Sequence, residues 1–283
     1  MRAVWVWLLL GTLVLLLGLF VYWAFFITEG AYLGPRIVAW TYDLTARRYE
    51  RIKRFNPSDD AWLLAGPMLQ ALDEVDCPLV LDVATGTGRM PRTLLKRPLF
   101  RGTVIGLDLS YKMLQQANDK LCDRAGRYTL IWRDAQHLPF PDQTFDAVSC
   151  VEALEFMPSP RRVLNEMARV LRPGGVFLVT NRVNWERKLM PGKAFTNARL
   201  RAMLQETGLV QIEFRPWQVY YDLIWACKAG CPSRLGRGTR GRAEILQCPH
   251  CQSLSLIEAP NSLHCLSCRR AYPVKNDICA MTS

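Results

Sequence analysis

Four cysteines near the C-terminus carry the plainest chemistry in the chain. They stand as Cys248-x-x-Cys251 and Cys265-x-x-Cys268, with thirteen residues between the pairs. Two knuckles of this kind supply four thiolates, the donor set of a tetrahedral structural zinc site. A module of about 40 residues with so small a core needs such a staple to fold. His250 and His264 lie inside or beside the knuckles and are read as bystanders, and Cys279 as a stray thiol. A thiolate-metal pattern belongs to a reducing compartment rather than to a disulfide framework. Cys150 ends an apolar stretch with no basic partner nearby, and Cys77, Cys122 and Cys227 have no nucleophile pattern either.

A second constellation is the turn in LVLDVATGTGR, Leu79 to Arg89, where Gly86 and Gly88 let backbone come close to a ligand. The dinucleotide fingerprint would place a third glycine at position 91, which is Pro91, and the phosphate-loop Lys-Ser/Thr pair is missing. A pyrophosphate ligand is disfavoured on both counts. Twenty residues beyond Gly88 stands Asp108, at the end of VIGLD, where a carboxylate can take both hydroxyls of a ribose. A nucleoside without a pyrophosphate satisfies both observations. On its own the turn is weak evidence, because similar glycine turns occur where nothing binds.

The elements that would position these residues alternate. Leu79 to Val83, Thr103 to Leu107, Tyr128 to Trp132, Phe145 to Val151 and Val176 to Thr180 read as strands. Ser110 is placed to cap a helix through SYKMLQQANDKLCD, and Val163, Met167, Val170 and Leu171 share one face of a helix stopped by Pro173 and its glycines. A helix near Ala198 to Glu206 ends at Gly208, and the β-rich runs LVQIEF and WQVYYDLIWA follow. This order predicts an α/β, Rossmann-like, mostly parallel seven-stranded sheet with helices on both faces. No internal repeat is present.

With RDAQHLPFPDQTFDAVSC and RVLRPGG added, the stretch from about Tyr42 to Lys228 resembles the class I S-adenosylmethionine-dependent methyltransferases, in particular the subgroup of the quinone-ring C-methyltransferases. The resemblance implies that Asp82 and the loop Ala84, Thr85, Gly86 and Gly88 hold the methionine end of the cofactor. It implies Asp108 with Leu109 at the ribose, and Asp134 with Ala135 at the adenine. Ala84 stands where many members have a glycine, so its methyl is expected to crowd the loop without abolishing binding. Taken singly, Asp82 could cap the turn and Asp134 could start a loop by bonding its own backbone, as Asp142 and Asp146 are expected to do. The tail from Ala243 to Met281 resembles the short zinc-ribbon proteins that activate tRNA, rRNA and protein methyltransferases. Arg269 and Asp277 replace glycines usual there and Cys279 a proline, which leaves zinc binding intact and puts the partner-binding surface in doubt.

A sulfonium methyl is already electrophilic and leaves a neutral thioether, so positioning dominates such a reaction and a base is needed only when the acceptor must lose a proton. Glu152, Glu155, Tyr42, Asp43 and His137 are the candidates. None has a diagnostic spacing, and a structural or solvated role is the simpler reading of each.

Ala3 to Thr28 contains no charged residue, enough to cross a bilayer, which takes roughly 20 residues. A cleaved signal would show an apolar core of only ~7–15 residues and a small-residue cleavage site. Trp5, Trp7, Tyr22 and Trp23 lie toward the two ends, where headgroup-level rings are expected. Arg36, Arg47, Arg48, Arg51, Lys53 and Arg54 follow the span against Arg2 before it, which directs the rest of the chain to the cytoplasm. Those cations either meet anionic headgroups or form a solvated face. The net charge of +11 fits nucleic acid, an anionic membrane or an acidic partner alike.

The expected organisation is an anchor at 1–28, a basic juxtamembrane cap at 29–76, the methyltransferase domain at 77–228, a Gly/Arg linker at 229–242 and a zinc ribbon at 243–283. The expected protein is a single-pass, cytoplasm-facing methyltransferase using S-adenosylmethionine and a zinc ion, whose acceptor is a small lipophilic or membrane-associated molecule. Two alternatives stay open: an RNA or translation-factor methyltransferase, and a non-catalytic cofactor-binding or zinc adaptor protein.

Overall fold

The computed structural model describes residues 2–53, 55–231 and 241–282. Arg54 and the linker arginines Arg234, Arg237 and Arg240 lie outside the described residues.

Eleven strands form one sheet: β1 Leu79–Val83, β2 Thr103–Asp108, β3 Tyr128–Trp132, β4 Phe145–Cys150, β5 Leu171–Arg182, β6 Leu209–Trp217, β7 Tyr221–Lys228, β8 Leu256–Ala259, β9 Ser262–Cys265, β10 Ala271–Lys275 and β11 Ile278–Ala280. Their order is β6-β7-β5-β4-β1-β2-β3-β11-β10-β9-β8. β3, β2, β1, β4 and β5 run parallel, and β7 is antiparallel to both β5 and β6. The strand order reverses between β1 and β4, which opens a crevice at their carboxyl ends.

The expected seven-stranded sheet is therefore too small. Seven strands come from the α/β part, and the cysteine-rich tail adds four at the β3 edge. Ile278, Cys279 and Ala280 pair in parallel with Leu130, Ile131 and Trp132. An open edge presents unpaired N–H and C=O groups, and here the tail of the same chain satisfies them. Sequence patterning could not show this, because a three-residue strand has no readable period. Cys279, read as a stray thiol, is fully buried at that seam, and burial pushes its pKa up to about 12.

Both faces of the sheet are covered. On one, Leu81, Phe177, Val163, Met167, Leu200 and Leu204 belong to a core that continues into the tail through Leu246, Leu263, Tyr272 and Met281. On the other, Val80, Val104 and Leu178 pack with Leu64, Met68, Met90 and Leu94. The anticipated helix caps form: Ser110 Oγ accepts the Met113 N–H at 3.1 Å, starting the helix Tyr111–Leu121. Asp146, expected to shape a turn, instead sits fully buried on β4. It accepts the Leu79 N–H at 2.6 Å and pairs with Arg172 at 2.5 Å.

Near the N-terminus a helix Arg2–Tyr22 continues through a wider turn to Ile27, and Val4–Ile27 is long and apolar enough to cross a membrane; it is exposed from Val4 to Tyr22, while Ala24 is buried. Short helices at Pro35–Thr45, Tyr49–Lys53, Pro57–Asp60 and Gly66–Ala71 then lead to β1. Trp23 is not a free interface ring: its Nε1 donates to the Leu189 carbonyl at 3.0 Å, and it stacks on Tyr32 at 5.0 Å.

Because tail and sheet share one core, Ile278→Ala is expected to destabilise the whole described fold by about 2–5 kcal/mol in a single transition. Calorimetric unfolding showing a separate, low-temperature transition of the tail alone would contradict this.

Candidate active site

The crevice beyond β1, β2 and β4 holds two adjoining lobes, of about 730 Å³ and 410 Å³. Tyr49, Ala84, Gly86, Val151 and Glu152 line both.

The larger lobe is built around Asp108. One carboxylate oxygen accepts the Gly86 N–H at 2.8 Å and the other the Ser110 N–H at 2.8 Å. The group thus ties the glycine turn after β1 to the helix start after β2. Burial raises its pKa to about 6, against the lowering effect of those N–H donors. An ionised carboxylate has about four lone-pair sites, so capacity for a ligand hydroxyl remains beyond these backbone donors. Leu109, Asp134 and Ala135 line the same lobe. Asp134 accepts the Gln136 N–H at 2.9 Å, the local turn that its residue type allows.

Asp82, Thr85, Thr87 and Arg89 line the smaller lobe. Asp82 accepts from Ser149 Oγ at 2.7 Å, and burial lifts its pKa to about 6. Arg89 donates to both oxygens of Asp60, at 2.9 and 2.6 Å, and to Glu152 at 2.7 Å. This lobe therefore sets a guanidinium among carboxylates, the charge pattern that suits an amino-acid zwitterion. Gly86 and Gly88 have φ of +55° and +81°, and a Cβ at Gly88 would come within 3.2 Å of Ala117 Cβ. Gly88 lines neither lobe; its role is to close the turn. Ala84 has φ +55°, so the glycine usual there avoids a strain of about 1 kcal/mol that this chain accepts.

The candidate bases separate. Tyr42 lines the larger lobe, donates to Glu29 Oε2 at 2.6 Å, and burial holds its pKa well above the usual tyrosine range. Glu152 lines both lobes but is bound by Arg89, by Gln218 at 3.2 Å and by Lys53 at 3.9 Å. Asp43 accepts from Ser110 Oγ at 2.5 Å and from the Lys112 N–H at 3.2 Å, fastening the cap to the start of the helix Tyr111–Leu121. Glu155 is fully buried away from the crevice, between Arg182 and Tyr221. His137 is exposed outside it, against Arg162.

Sequence reasoning missed Arg89, Asp60, Tyr49, Glu29 and Arg133. Arg89 directly follows the glycine turn and could have been suspected. Tyr49 and Glu50 were hidden in a stretch dominated by cations. Glu50 faces inward to Thr87, Arg92 and Lys120 at 3.0, 3.1 and 2.9 Å. Lys53, read with the exposed cations, also points inward, toward Glu29 and Glu152. Arg133 lines the larger lobe and donates to the Met281 carbonyl, linking the crevice to the tail.

In the tail, the four expected thiols converge, with all Sγ atoms within 4.8 Å of one another. Cys248 and Cys268 Sγ are 3.6 Å apart and Cys251 and Cys265 Sγ 3.5 Å, close to the roughly 3.8 Å separation of thiolates held tetrahedrally at ~2.3 Å from zinc. Tyr272 Oη lies 3.0 Å from Cys248 Sγ, placed to donate to a thiolate. Arg269 and Asp277 adopt φ of +61° and +58°, the backbone reason a glycine is usual at both positions.

Comparison with known proteins agrees with this geometry. The family described as "Methyltransferase domain" matches residues 81–179, and that described as "Trm112p-like protein" matches residues 243–277. The chain is 45% identical over 100 residues to the ubiquinone/menaquinone biosynthesis C-methyltransferase UbiE of Bordetella avium (strain 197N), covering 35% of this chain and 39% of that protein. It is 40% identical over 106 residues to a phosphatidylethanolamine N-methyltransferase of Cereibacter sphaeroides, covering 36% and 49%. It thus spans less than half the length of either relative. The fold is shared with the CurJ carbon methyltransferase, at 16% identity over 60% of this chain and 54% of that one, with a TM-score of 0.53. The chain therefore carries an S-adenosylmethionine-dependent type of methyltransferase domain and a Trm112p-like zinc-ribbon module.

Stripping metal with a strong chelator, or replacing Cys265→Ser, is expected to remove about one zinc per chain and to lower Tm of the joined sheet, since β11 follows the knuckles. Metal analysis with unchanged Tm after stripping would contradict a structural role for the ion.

Proposed function

We propose that this protein transfers a methyl group from S-adenosylmethionine to a lipophilic acceptor at a membrane surface. The observation that carries the reading is the position of the cap helix Pro35–Thr45. Its inner residues Val38, Ala39 and Tyr42 line the larger lobe. Its outer residues Trp40 and Leu44 are 54% and 61% exposed, flanked by exposed Arg36, Arg47, Arg48 and Arg51. Apolar side chains between arginines, beginning eight residues after an apolar span, are the pattern of a helix lying among headgroups. One helix would then be both membrane contact and cleft wall. Pro35, Val38 and Ala39 with Phe156, Met157 and Pro158 give that wall an apolar character suited to a lipid. The quinone and phosphatidylethanolamine methyltransferases to which the chain is similar support the same substrate class.

In this reading Asp108 accepts the ribose hydroxyls, Leu109, Asp134 and Ala135 border the adenine, and Arg89 with Asp82 and the turn Ala84 to Gly88 receives the amino-acid end. When bound, the cofactor supplies a methyl carbon already activated by positive sulfur. The chain's task is to align that carbon with the acceptor, and such alignment can contribute about 7–11 kcal/mol of barrier lowering. The cap, fastened by Asp43, Glu50 and Asp60, excludes water from the path. Arg133 and β11 stiffen the adenine side of the lobe from the tail.

Full-length protein in membranes, given methyl-labelled cofactor with separated lipid, RNA and protein fractions, is expected to label lipid. Label confined to RNA or protein would overturn the acceptor class, and no label in any fraction would overturn methyl transfer. Trp40→Ser with Leu44→Ser should lower transfer to bilayer-embedded acceptor while leaving binding of the demethylated cofactor unchanged.

A pH dependence also follows. Ribose hydroxyls donate best to ionised Asp108, whose pKa of about 6 falls on binding. Affinity for the demethylated cofactor should be flat above about that pH and weaken by up to about tenfold per unit below it. Asp108→Asn should bind weakly with a flatter profile. An unchanged acid limb in that variant would contradict the assignment.

A further inference from the structure

Tyr42 lines the larger lobe with its hydroxyl hydrogen already committed. It donates at 2.6 Å to Glu29, which lies two residues beyond the apolar span. The ring is held edge-on by Phe156 at 6.1 Å and tilted against Tyr49 at 5.8 Å, so the hydroxyl has little freedom to turn away. A phenol whose hydrogen is spent on a carboxylate can offer only lone pairs to whatever enters the lobe. It can accept a proton from a ligand but has none to give it.

Three other acids near the crevice already have partners of their own. Glu152 is held by Arg89, Asp43 by Ser110 and the Lys112 N–H, and Asp108 by Gly86 and Ser110. Glu29 has Tyr42 and, at 3.9 Å, Lys53, and its side chain is 24% exposed, so it can pass a proton on to water. The charged and titratable groups facing the pair are Lys53, Tyr49, Glu152 and Tyr221.

We propose that Tyr42 and Glu29 form a proton relay for the acceptor, an inference that rests on the methyl-transfer reading. The acceptor's O–H or N–H proton passes to the Tyr42 oxygen while the phenol's own proton passes to the Glu29 carboxylate. The electron pair left on the acceptor, at that atom or at a conjugated carbon, forms the new bond to the methyl group, and the carbon–sulfur pair departs with sulfur. One proton ends on Glu29 and leaves to solvent, so atoms and charge balance. The substrate class narrows to lipids with an ionisable O–H or N–H at or conjugated to the methylated atom. Tyr42 is then a catalytic residue and Glu29 a positioning residue and proton sink.

The test uses full-length protein, methyl-labelled S-adenosylmethionine, and vesicles containing either phosphatidylethanolamine or a reduced prenylated naphthoquinone. Tyr42→Phe and Glu29→Gln should each lower kcat by about 10²–10⁴-fold, with calorimetric affinity for S-adenosylhomocysteine and Tm close to wild type. Glu29→Asp should recover part of the rate that Glu29→Gln loses. Active wild type with either Phe or Gln variant at full kcat overturns the relay alone. Variants that lose nucleoside affinity in step with kcat also overturn it, in favour of a scaffold role. Wild type that labels neither lipid overturns the methyl-transfer reading for these acceptors, and the relay with it.

Discussion

A half-buried carboxylate that ties two loops together organises the crevice of this molecule. Asp108 sits half-buried at the end of β2, lining the crevice, and desolvation alone would favour its neutral form. Two backbone N–H groups, from Gly86 and Ser110, offset that penalty and in doing so fix the turn after β1 against the helix start after β2. The crevice exists because that carboxylate draws two loops together over the point where the strand order reverses. Whatever binds there inherits a preorganised acceptor and pays little to order the loops.

The remaining structure supports that crevice from two sides. From the N-terminal side, Asp43, Glu50 and Asp60 reach from the cap to Ser110, to Thr87 with Arg92 and Lys120, and to Arg89. From the C-terminal side, the cysteine-rich tail completes the β3 edge and receives Arg133 at Met281. Cap and tail both contact residues that line the crevice, so each can influence it. The covalent continuity of the tail with the sheet makes the edge pairing intramolecular, which gives it a high effective concentration.

The parts legible in the sequence were those with a period or a fixed spacing. The seven α/β strands, the helix cap at Ser110, the Gly86 to Asp108 interval and the two cysteine pairs were readable because local chemistry sets them. The eleven-stranded sheet was not, because Ile278–Ala280 is too short to announce itself and its partner lies far away in sequence. Lys53 was misjudged for a related reason: a run of cations reads as exposed, while the direction of each side chain depends on tertiary partners. Asp146 followed a turn-like stretch but is claimed by Arg172 and the Leu79 N–H across the sheet. The Tyr42 and Glu29 pair joins residues thirteen apart across a turn that no local pattern encodes.

The central claim is that Asp108 grips a sugar. It is tested most directly by calorimetry of the zinc-loaded, full-length protein with S-adenosylhomocysteine and with its 2′-deoxy and 3′-deoxy analogues. The account predicts that wild type binds the parent compound and loses about tenfold or more with each missing hydroxyl, whereas Asp108→Ala binds all three weakly and alike. Equal affinities of wild type for parent and deoxy compounds, or no binding heat at all, would contradict it.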